Sequence, residues 1–390
     1  MTFDIIIIGS GLAGYTLIKE FRRLDTESSI LVISADDGRY YSKPMLSTGF
    51  AKNKSAAELA MKTVDQMTET FNITVFSNTF VTNINRSLKT VIVDNQDQHH
   101  GYKKSLIFAT GAAPIQIPLP SALNERCMPI NDLHDYHQFR QLLGDRKKVA
   151  IIGAGLVGTE YANDLSAAGI EVDVIALDDR PLQLLLPEPL SMAVQDALSQ
   201  HNIHWHFNNS ITAAKLSDLN DPEDKIHLTL SSGKILSTDV VLSAVGLKPR
   251  IELAKQSGLT VDRGIVVDQQ LKTTVEGIYA LGDCAQINGH VLMYVTPLTL
   301  CAKALAKTLS GTPTEVKIPA SPVIVKTPAC PVVSSPASHN EQGSWHFEGQ
   351  APDLKATYVG EDGRLYGFAL TGKKVMERMK LTKQLPPIIG

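Results

Sequence analysis

The sequence predicts an α/β fold: two doubly wound parallel-sheet units followed by a small α+β unit at the C-terminal end. Three observations carry this. The hexapeptide Gly9-Ser10-Gly11-Leu12-Ala13-Gly14 returns as Gly153-Ala154-Gly155-Leu156-Val157-Gly158. Each copy stands between an apolar, β-branched run and a stretch with helical spacing. From about residue 321 the pattern changes to short apolar segments separated by Gly, Pro and Asp.

Phe3-Asp4-Ile5-Ile6-Ile7-Ile8 is near-continuously apolar and reads as a buried parallel strand. Leu12, Tyr15, Leu17, Ile18 and Phe21 then give one helical face, and Ile30-Leu31-Val32-Ile33 a second strand. Ser105–Ala109 is a further strand, broken at Gly111 and Pro114, and the Pro-rich Ile115–Pro120 is a linker. The second copy repeats the plan: strand Val149–Ile152, helix Leu156–Ala168, turn at Gly169, strand Val172–Ile175. Val240–Ala244 closes that unit, with Gly246 just after. Gly264–Asp268 and Gly277–Asp283 are then strands by which the chain returns to the first unit, the latter ending in Gly-Asp before a helix. The expected division is residues 1–112 with 245–320, residues 113–244, and residues 321–390. In the last part Val323–Val325, Val332–Val333, Trp345–Phe347, Ala356–Val359 and Leu365–Ala369 are strands, Asp362-Gly363 is a hairpin turn, and a helix spans about 373–384.

The glycines explain what such units do. The first permits a tight strand-to-helix turn, the second lets backbone approach a pyrophosphate, and the third lets helix pack on strand. The phosphates rest on free N–H groups at the positive end of the helix. Two complete copies predict two Rossmann-like domains, two dinucleotides held together, and electrons passed between them.

Composition narrows the rest. A length of 390 residues suits two or three domains, and a net charge of −3 gives no reason to expect nucleic acid. No apolar run approaches the roughly 18 residues of a membrane span, and a strand starting near residue 3 leaves no room for a signal peptide. Cys127, Cys284, Cys301 and Cys330 are scattered, with no C-x-x-C and no metal spacing. The expectation is a cytoplasmic protein with reduced thiols, no metal and no redox cysteine pair. Electrons therefore leave the first dinucleotide directly for a partner that comes close to it.

At Gly9–Gly14, Ala109-Thr110-Gly111, Gly153–Gly158 followed by Glu160, and Tyr279-Ala280-Leu281-Gly282-Asp283, the chain resembles the FAD-dependent pyridine nucleotide-disulfide oxidoreductase superfamily over nearly its whole length. Within it, Tyr41–Ser47, Tyr294–Leu298 and Val325–Pro331 are similar to rubredoxin–NAD(+) reductases. The last segment stands where related ferredoxin reductases carry an aromatic residue against the flavin. The resemblance implies FAD in the first unit, NADH in the second, and rubredoxin, a small acidic iron protein, as acceptor.

Carried over residue by residue, the FAD contacts are Gly9, Ser10, Gly11, Leu12, Gly14, Ser34, Lys43, Val81, Thr110, Gly111, Glu160, Asp283, Val295 and Lys326. Ser34 stands where an acidic residue usually holds the ribose; Asp36 and Asp37 just beyond read as a solvated turn, at least one of them. Lys43 is expected at the reactive edge of the flavin, stiffened by Pro44, with Glu160 as its partner; these two are the candidate catalytic residues. Asp283 is expected on the ribityl chain or as a helix N-cap, Val295 N–H at the flavin, and Lys326 as a further cation. For NADH the set is Gly153, Gly155, Gly158, Asp178 and Gly246. Ala176 replaces the usual ribose-reading glutamate, and Asp178 and Asp179 beside Arg180 disfavour a 2′-phosphate. The histidines read as surface or packing residues. Arg39, Lys52, Lys54 and Lys303 are candidate contacts for the carrier. The function so implied is NADH-driven rubredoxin reduction feeding an alkane hydroxylase. The alternatives are a flavorubredoxin or ferredoxin reductase, or a flavin-bearing redox sensor without turnover.

Overall fold

The structure is a computed structural model. It describes residues 1–94, 98–217, 224–337 and 342–390, and every count of elements refers to these.

The isoleucine run forms the strand Thr2–Ile8, buried on both faces at the centre of a seven-stranded sheet. Ile30–Ile33 and Gln98–Phe108 flank it in parallel, with Ile8 level with Ile33 and with Phe108. Thr74–Phe76 extends the sheet on one side. On the other, Ile278–Ala280 pairs in parallel with Leu106–Phe108, so the chain comes back to this sheet from far along the sequence. The helix Leu12–Phe21 buries Tyr15, Leu17, Ile18 and Phe21 against it. The second unit repeats the plan with Lys148–Ile152 paired to Glu171–Ile175 and Val240–Ser243, and the helix Leu156–Ala167 above. Cys127–Met128 and Ile203–His206 complete five parallel strands. The chain crosses between units twice. Ala112–Pro114 and Leu247–Pro249 do so side by side as an antiparallel ribbon, so the Pro-rich linker is braced at its first residues.

The C-terminal sheet has five antiparallel strands in the order Val323–Val325, Val332–Ser335, Leu365–Thr371, Asp353–Gly360, Gly343–Gln350. It rests on the second unit, where Ser334 Oγ donates to the Leu185 carbonyl. Two expectations are corrected. No helix follows Asp283: Gly282–Cys284 is one 3-10 turn that leads straight into the strand Ala285–Ile287, paired with Ile265–Val267. Asp283 is therefore no N-cap, and the helix begins only at Val295. The final helix is shorter than 373–384. Gly372 N donates to Pro331 O at 2.9 Å and Lys373 N to Asp353 Oδ1 at 2.7 Å, which ties Gly372–Glu377 into a 3-10 turn and leaves Arg378–Thr382 as the α-helical part. The helices Leu133–Leu143 and Glu188–Ser199 and the meander Ile211–Leu216, Ile226–Leu230, Ile235–Thr238 were not foreseen.

Candidate active site

The two glycine loops are the same device. Gly9 has φ +115° and Gly153 φ +107°, conformations that side chains resist. A Cβ at Gly9 would strike the Ala109 carbonyl, and one at Gly14 the Gly9 carbonyl; Gly153 and Gly158 meet Ala244 and Gly153 in the same way. These four glycines are demanded by the chain's own packing. The middle ones are not: a Cβ at Gly11 or at Gly155 would meet nothing within 4 Å. Both are N-cap residues of helices with no side-chain cap, so free N–H groups face a clearing. A dinucleotide pyrophosphate fits each clearing.

At the far end of the first loop, Ser10 Oγ and Ser34 Oγ lie 2.5 Å apart. Both donate to Asp36 Oδ1, Ser10 from 3.0 Å, and Gly38 N adds a third bond at 2.9 Å. Asp36, two positions beyond Ser34, is thus held beside the first glycine loop. Gly38, at φ +72°, turns the loop back and brings it there. Asp37 is the solvated one of the pair and binds Arg39 at 2.6 Å. Thr79 N donates to Ser34 O at 2.8 Å, and Val81 follows two positions on as the first residue of the strand Val81–Asn85.

At the other end Lys43, Asp283 and Arg250 share one electrostatic neighbourhood. Lys43 opens a 3-10 turn with Pro44 behind it. Burial holds its ammonium below the usual lysine range, against the pull of Asp283. Burial raises the Asp283 carboxyl, with Lys43 opposing. Among the described residues no hydrogen bond reaches the Asp283 carboxylate. Thr110 and Gly111 are clamped to Arg250: Arg250 N donates to Gly111 O at 3.0 Å and Arg250 Nη1 to Thr110 O at 3.1 Å. The helix Val295–Leu309 starts with no side-chain cap, and Pro297 in its first turn has no N–H, so the Val295 and Thr296 N–H groups are free for a ligand. An unpartnered half-buried carboxylate and an uncapped helix start, beside a glycine clearing, fit a flavin dinucleotide.

The Lys43–Glu160 pair does not form. Lys43 Nζ donates to Asn131 Oδ1 at 2.6 Å, and Asn131 Nδ2 to Ala112 O at 3.2 Å, so the lysine is anchored at the crossover ribbon. Glu160, 3 % exposed on the second glycine-loop helix, takes Lys326 instead. Lys326 Nζ and Lys326 N, the latter at 2.9 Å, both donate to it, and Ser47 Oγ does so at 2.7 Å. One carboxylate joins the first unit, the second unit and the C-terminal sheet. Lys326 wins because its backbone N–H and its ammonium reach the same carboxylate, a geometry Lys43 cannot match from across the Asn131 contact. One turn on, Asp164 accepts from Phe50 N at 2.9 Å and Ala51 N at 3.1 Å.

In the second unit, Asp178 lies in the loop after Glu171–Ile175, and Asp179 binds Arg180 at 2.7 Å. Gly246, at φ +113°, starts the return crossing, its carbonyl accepting from Ile115 N at 3.0 Å. His206 is buried on Asp173 at 2.6 Å, and the four cysteines are free thiols, three of them buried. Among the described residues no cluster of metal ligands occurs, and no helix is long and apolar enough to cross a membrane.

Residues 3–306 match the family Pyridine nucleotide-disulphide oxidoreductase, and residues 315–385 match the Rubredoxin binding C-terminal domain. A rubredoxin-NAD(+) reductase of Alcanivorax borkumensis is 46 % identical over 99 % of each chain. Another from Acinetobacter baylyi is 40 % identical over 99 % of this chain and 98 % of its own. A nitric oxide reductase FlRd-NAD(+) reductase of Vibrio vulnificus is 36 % identical over 99 % of this chain and 98 % of its own. Among solved structures, NADH:rubredoxin oxidoreductase from Clostridium acetobutylicum superposes with a TM-score of 0.82 at 23 % identity, covering 99 % of this chain and 95 % of that one. Putidaredoxin reductase in its covalent putidaredoxin complex reaches 0.87 at 24 %, covering 98 % and 94 %. At that identity the two structures speak for the fold alone. With two glycine loops, two ligand clearings and a match across most of its length, the chain is an oxidoreductase and belongs to the pyridine nucleotide-disulphide oxidoreductase family.

Proposed function

We propose that this chain is an NADH-dependent, FAD-carrying reductase of rubredoxin, working in the cytoplasm. The observation that carries the acceptor is the match of residues 315–385 to a rubredoxin-binding domain, directly after a complete two-loop redox body. The relatives named for rubredoxin, at 46 % and 40 % identity, stand above the flavorubredoxin-type relative at 36 %, which favours rubredoxin over flavorubredoxin.

When bound, the flavin supplies the conversion of a hydride's two electrons into single electrons. The chain's own residues do the rest. Gly9, Gly11 and Gly14 with Asp36 would hold the FAD diphosphate and adenosine. Thr110, Gly111, Asp283 and the Val295 N–H would hold its flavin half. Gly153, Gly155, Gly158, Asp178 and Gly246 would hold NADH. Lys43, fixed by Asn131, and the start of the Val295–Leu309 helix supply positive potential that favours an electron-rich ring. Glu160 orients Lys326 and locks the three units in register around the site. Delivery of the electrons to an alkane hydroxylase belongs to the same proposal, and a strain lacking the gene should fail to grow on alkanes alone. The direct test is turnover of the purified yellow protein with NADH. It should reduce rubredoxin at a rate at least tenfold above ferredoxin; equal rates, or ferredoxin preferred, would overturn the acceptor assignment.

A further inference from the structure

The two ribose loops are backbone copies of each other. Gly9 N donates to Ile33 O at 2.8 Å, and Gly153 N to Ile175 O at 2.8 Å. Ser34 N bonds Phe76 O at 2.8 Å, and Ala176 N bonds His206 O at 3.2 Å. Asn78 N reaches Asp36 O at 2.7 Å, and Asn208 N reaches Asp178 O at 3.0 Å. Thr79 N reaches Ser34 O at 2.8 Å, and Asn209 N reaches Ala176 O at 2.9 Å. Asn78 and Asn208 both sit in the left-handed region, at φ 50° and 54°. In each loop the next carboxylate is paired with an arginine after it, Asp37 with Arg39 two positions on and Asp179 with the adjacent Arg180. Bond for bond, Asp36 and Asp178 are equivalent, as are Ser34 and Ala176, and, within the glycine loops, Ser10 and Ala154.

The side chains break the symmetry. Asp36 Oδ1 receives Ser10 Oγ, Ser34 Oγ and Gly38 N, which fixes the carboxylate and leaves Oδ2 for a ligand hydroxyl. Ala154 and Ala176, both buried, present methyls where those two hydroxyls stand. Among the described residues no hydrogen bond or ion pair reaches the Asp178 carboxylate. A carboxylate already fixed loses little freedom when a ribose binds; a free one must be ordered at that moment, which weakens binding and speeds release.

We infer that Ser10 and Ser34 make the first loop a retaining site, and that their absence at Ala154 and Ala176 makes the second loop an exchanging site with Asp178 as its ribose contact. The four positions are positioning residues: they act through Asp36 and Asp178. This rests on the functional reading only in that the second loop takes a nicotinamide dinucleotide, which must leave after every turnover while the flavin stays.

The test uses the FAD-loaded protein and NAD+ as the probe. Ala176→Ser and the double variant Ala154→Ser, Ala176→Ser are compared with the parent, each with Asp178 and with Asp178→Ala. Binding is read by calorimetry, and release by stopped flow. The double variant should bind NAD+ about tenfold more tightly, the weight of roughly one hydrogen bond to a charged group, through slower release. Product inhibition should rise with it, and the gain should vanish with Asp178→Ala. Ala176→Ser alone should move the same way by less, which covers the case in which serine at the buried position 154 disturbs folding. Unchanged or weaker NAD+ binding in both variants overturns the inference, as does a gain that survives Asp178→Ala. A parent that binds neither NADH nor NAD+ would sink the functional reading along with it. A parent that binds them normally but prefers ferredoxin would touch only the choice of carrier.

Discussion

At the scale of single residues, Glu160 is 3 % exposed and takes two bonds from Lys326 and one from Ser47. A carboxylate this buried is tolerable only while its donors are in place, and removing one partner of such a pair leaves an uncompensated charge. Lys326→Met should therefore destabilise the protein by about 2–3 kcal/mol, at or below the low end for buried pairs because Lys326 is partly exposed. Adding Glu160→Gln should restore much of that loss. Urea unfolding of the singles and the double measures it, and strictly additive losses would contradict the pairing. Asp283 gives a prediction with a pH sign. Burial raises its folded-state carboxyl above the unfolded value, so the ionised form is penalised in the folded chain. That penalty is absent below the unfolded value, grows as pH rises through the window up to the raised one, and is complete above it. In protein stripped of FAD, Asp283→Asn should stabilise at neutral pH and lose this advantage in acid. In the loaded protein the same change should weaken FAD retention. Stabilisation that does not change with pH would argue against a buried, ionising Asp283.

At the scale of the element, the glycine loops separate folding from binding. Gly9→Ala sets a methyl against the Ala109 carbonyl at a positive φ and should abolish soluble expression or lower stability by several kcal/mol. Gly11→Ala meets open space, so it should melt like the parent when both are FAD-free yet retain little flavin. Gly155→Ala should keep its yellow colour and lose NADH affinity. Thermal melts beside flavin content and NADH titration decide all three, and a Gly11→Ala protein that retains full flavin would refute the clearing as a phosphate site. These elements were legible in the sequence because their signals are local: an isoleucine run, a glycine spacing, a helical stripe. Asp36 was harder, because the loop doubles back at Gly38 and returns its carboxylate to Ser10 and Ser34 from two positions further on. The Lys326–Glu160 contact was harder still. Its partners are 166 positions apart, and nothing local distinguishes Lys326 from Lys43 as the mate of a buried glutamate. The first strand of the meander, Ile211–Leu216, is mostly exposed, which blurs its alternation.

At the scale of the whole molecule, charge is unevenly spread. The chain is net negative, yet residues 372–385 carry Lys373, Lys374, Arg378, Lys380 and Lys383 against Glu377 alone. Glu377 is already taken by Lys355 and Lys374, and Met376 and Met379 stand exposed among the cations. An acidic carrier docking on the C-terminal domain should then bind more weakly as salt rises. The double variant Lys373→Glu, Arg378→Glu should raise the KM for rubredoxin at least several-fold and leave the rate of flavin reduction by NADH unchanged. A KM insensitive to both salt and charge reversal would place docking elsewhere.

Across the whole molecule, electrons should pass from one nucleotide to the other and out to a one-electron carrier with no sulfur relay between. The most direct measurement is an anaerobic titration of the yellow protein and excess oxidised rubredoxin with NADH, following the rubredoxin absorbance. The predicted result is two rubredoxins reduced for each NADH consumed, undiminished when all four cysteines are replaced by serine or alanine in a variant that still folds. A protein that holds no flavin, or one whose folded cysteine-free variant takes up NADH without reducing rubredoxin, would contradict it.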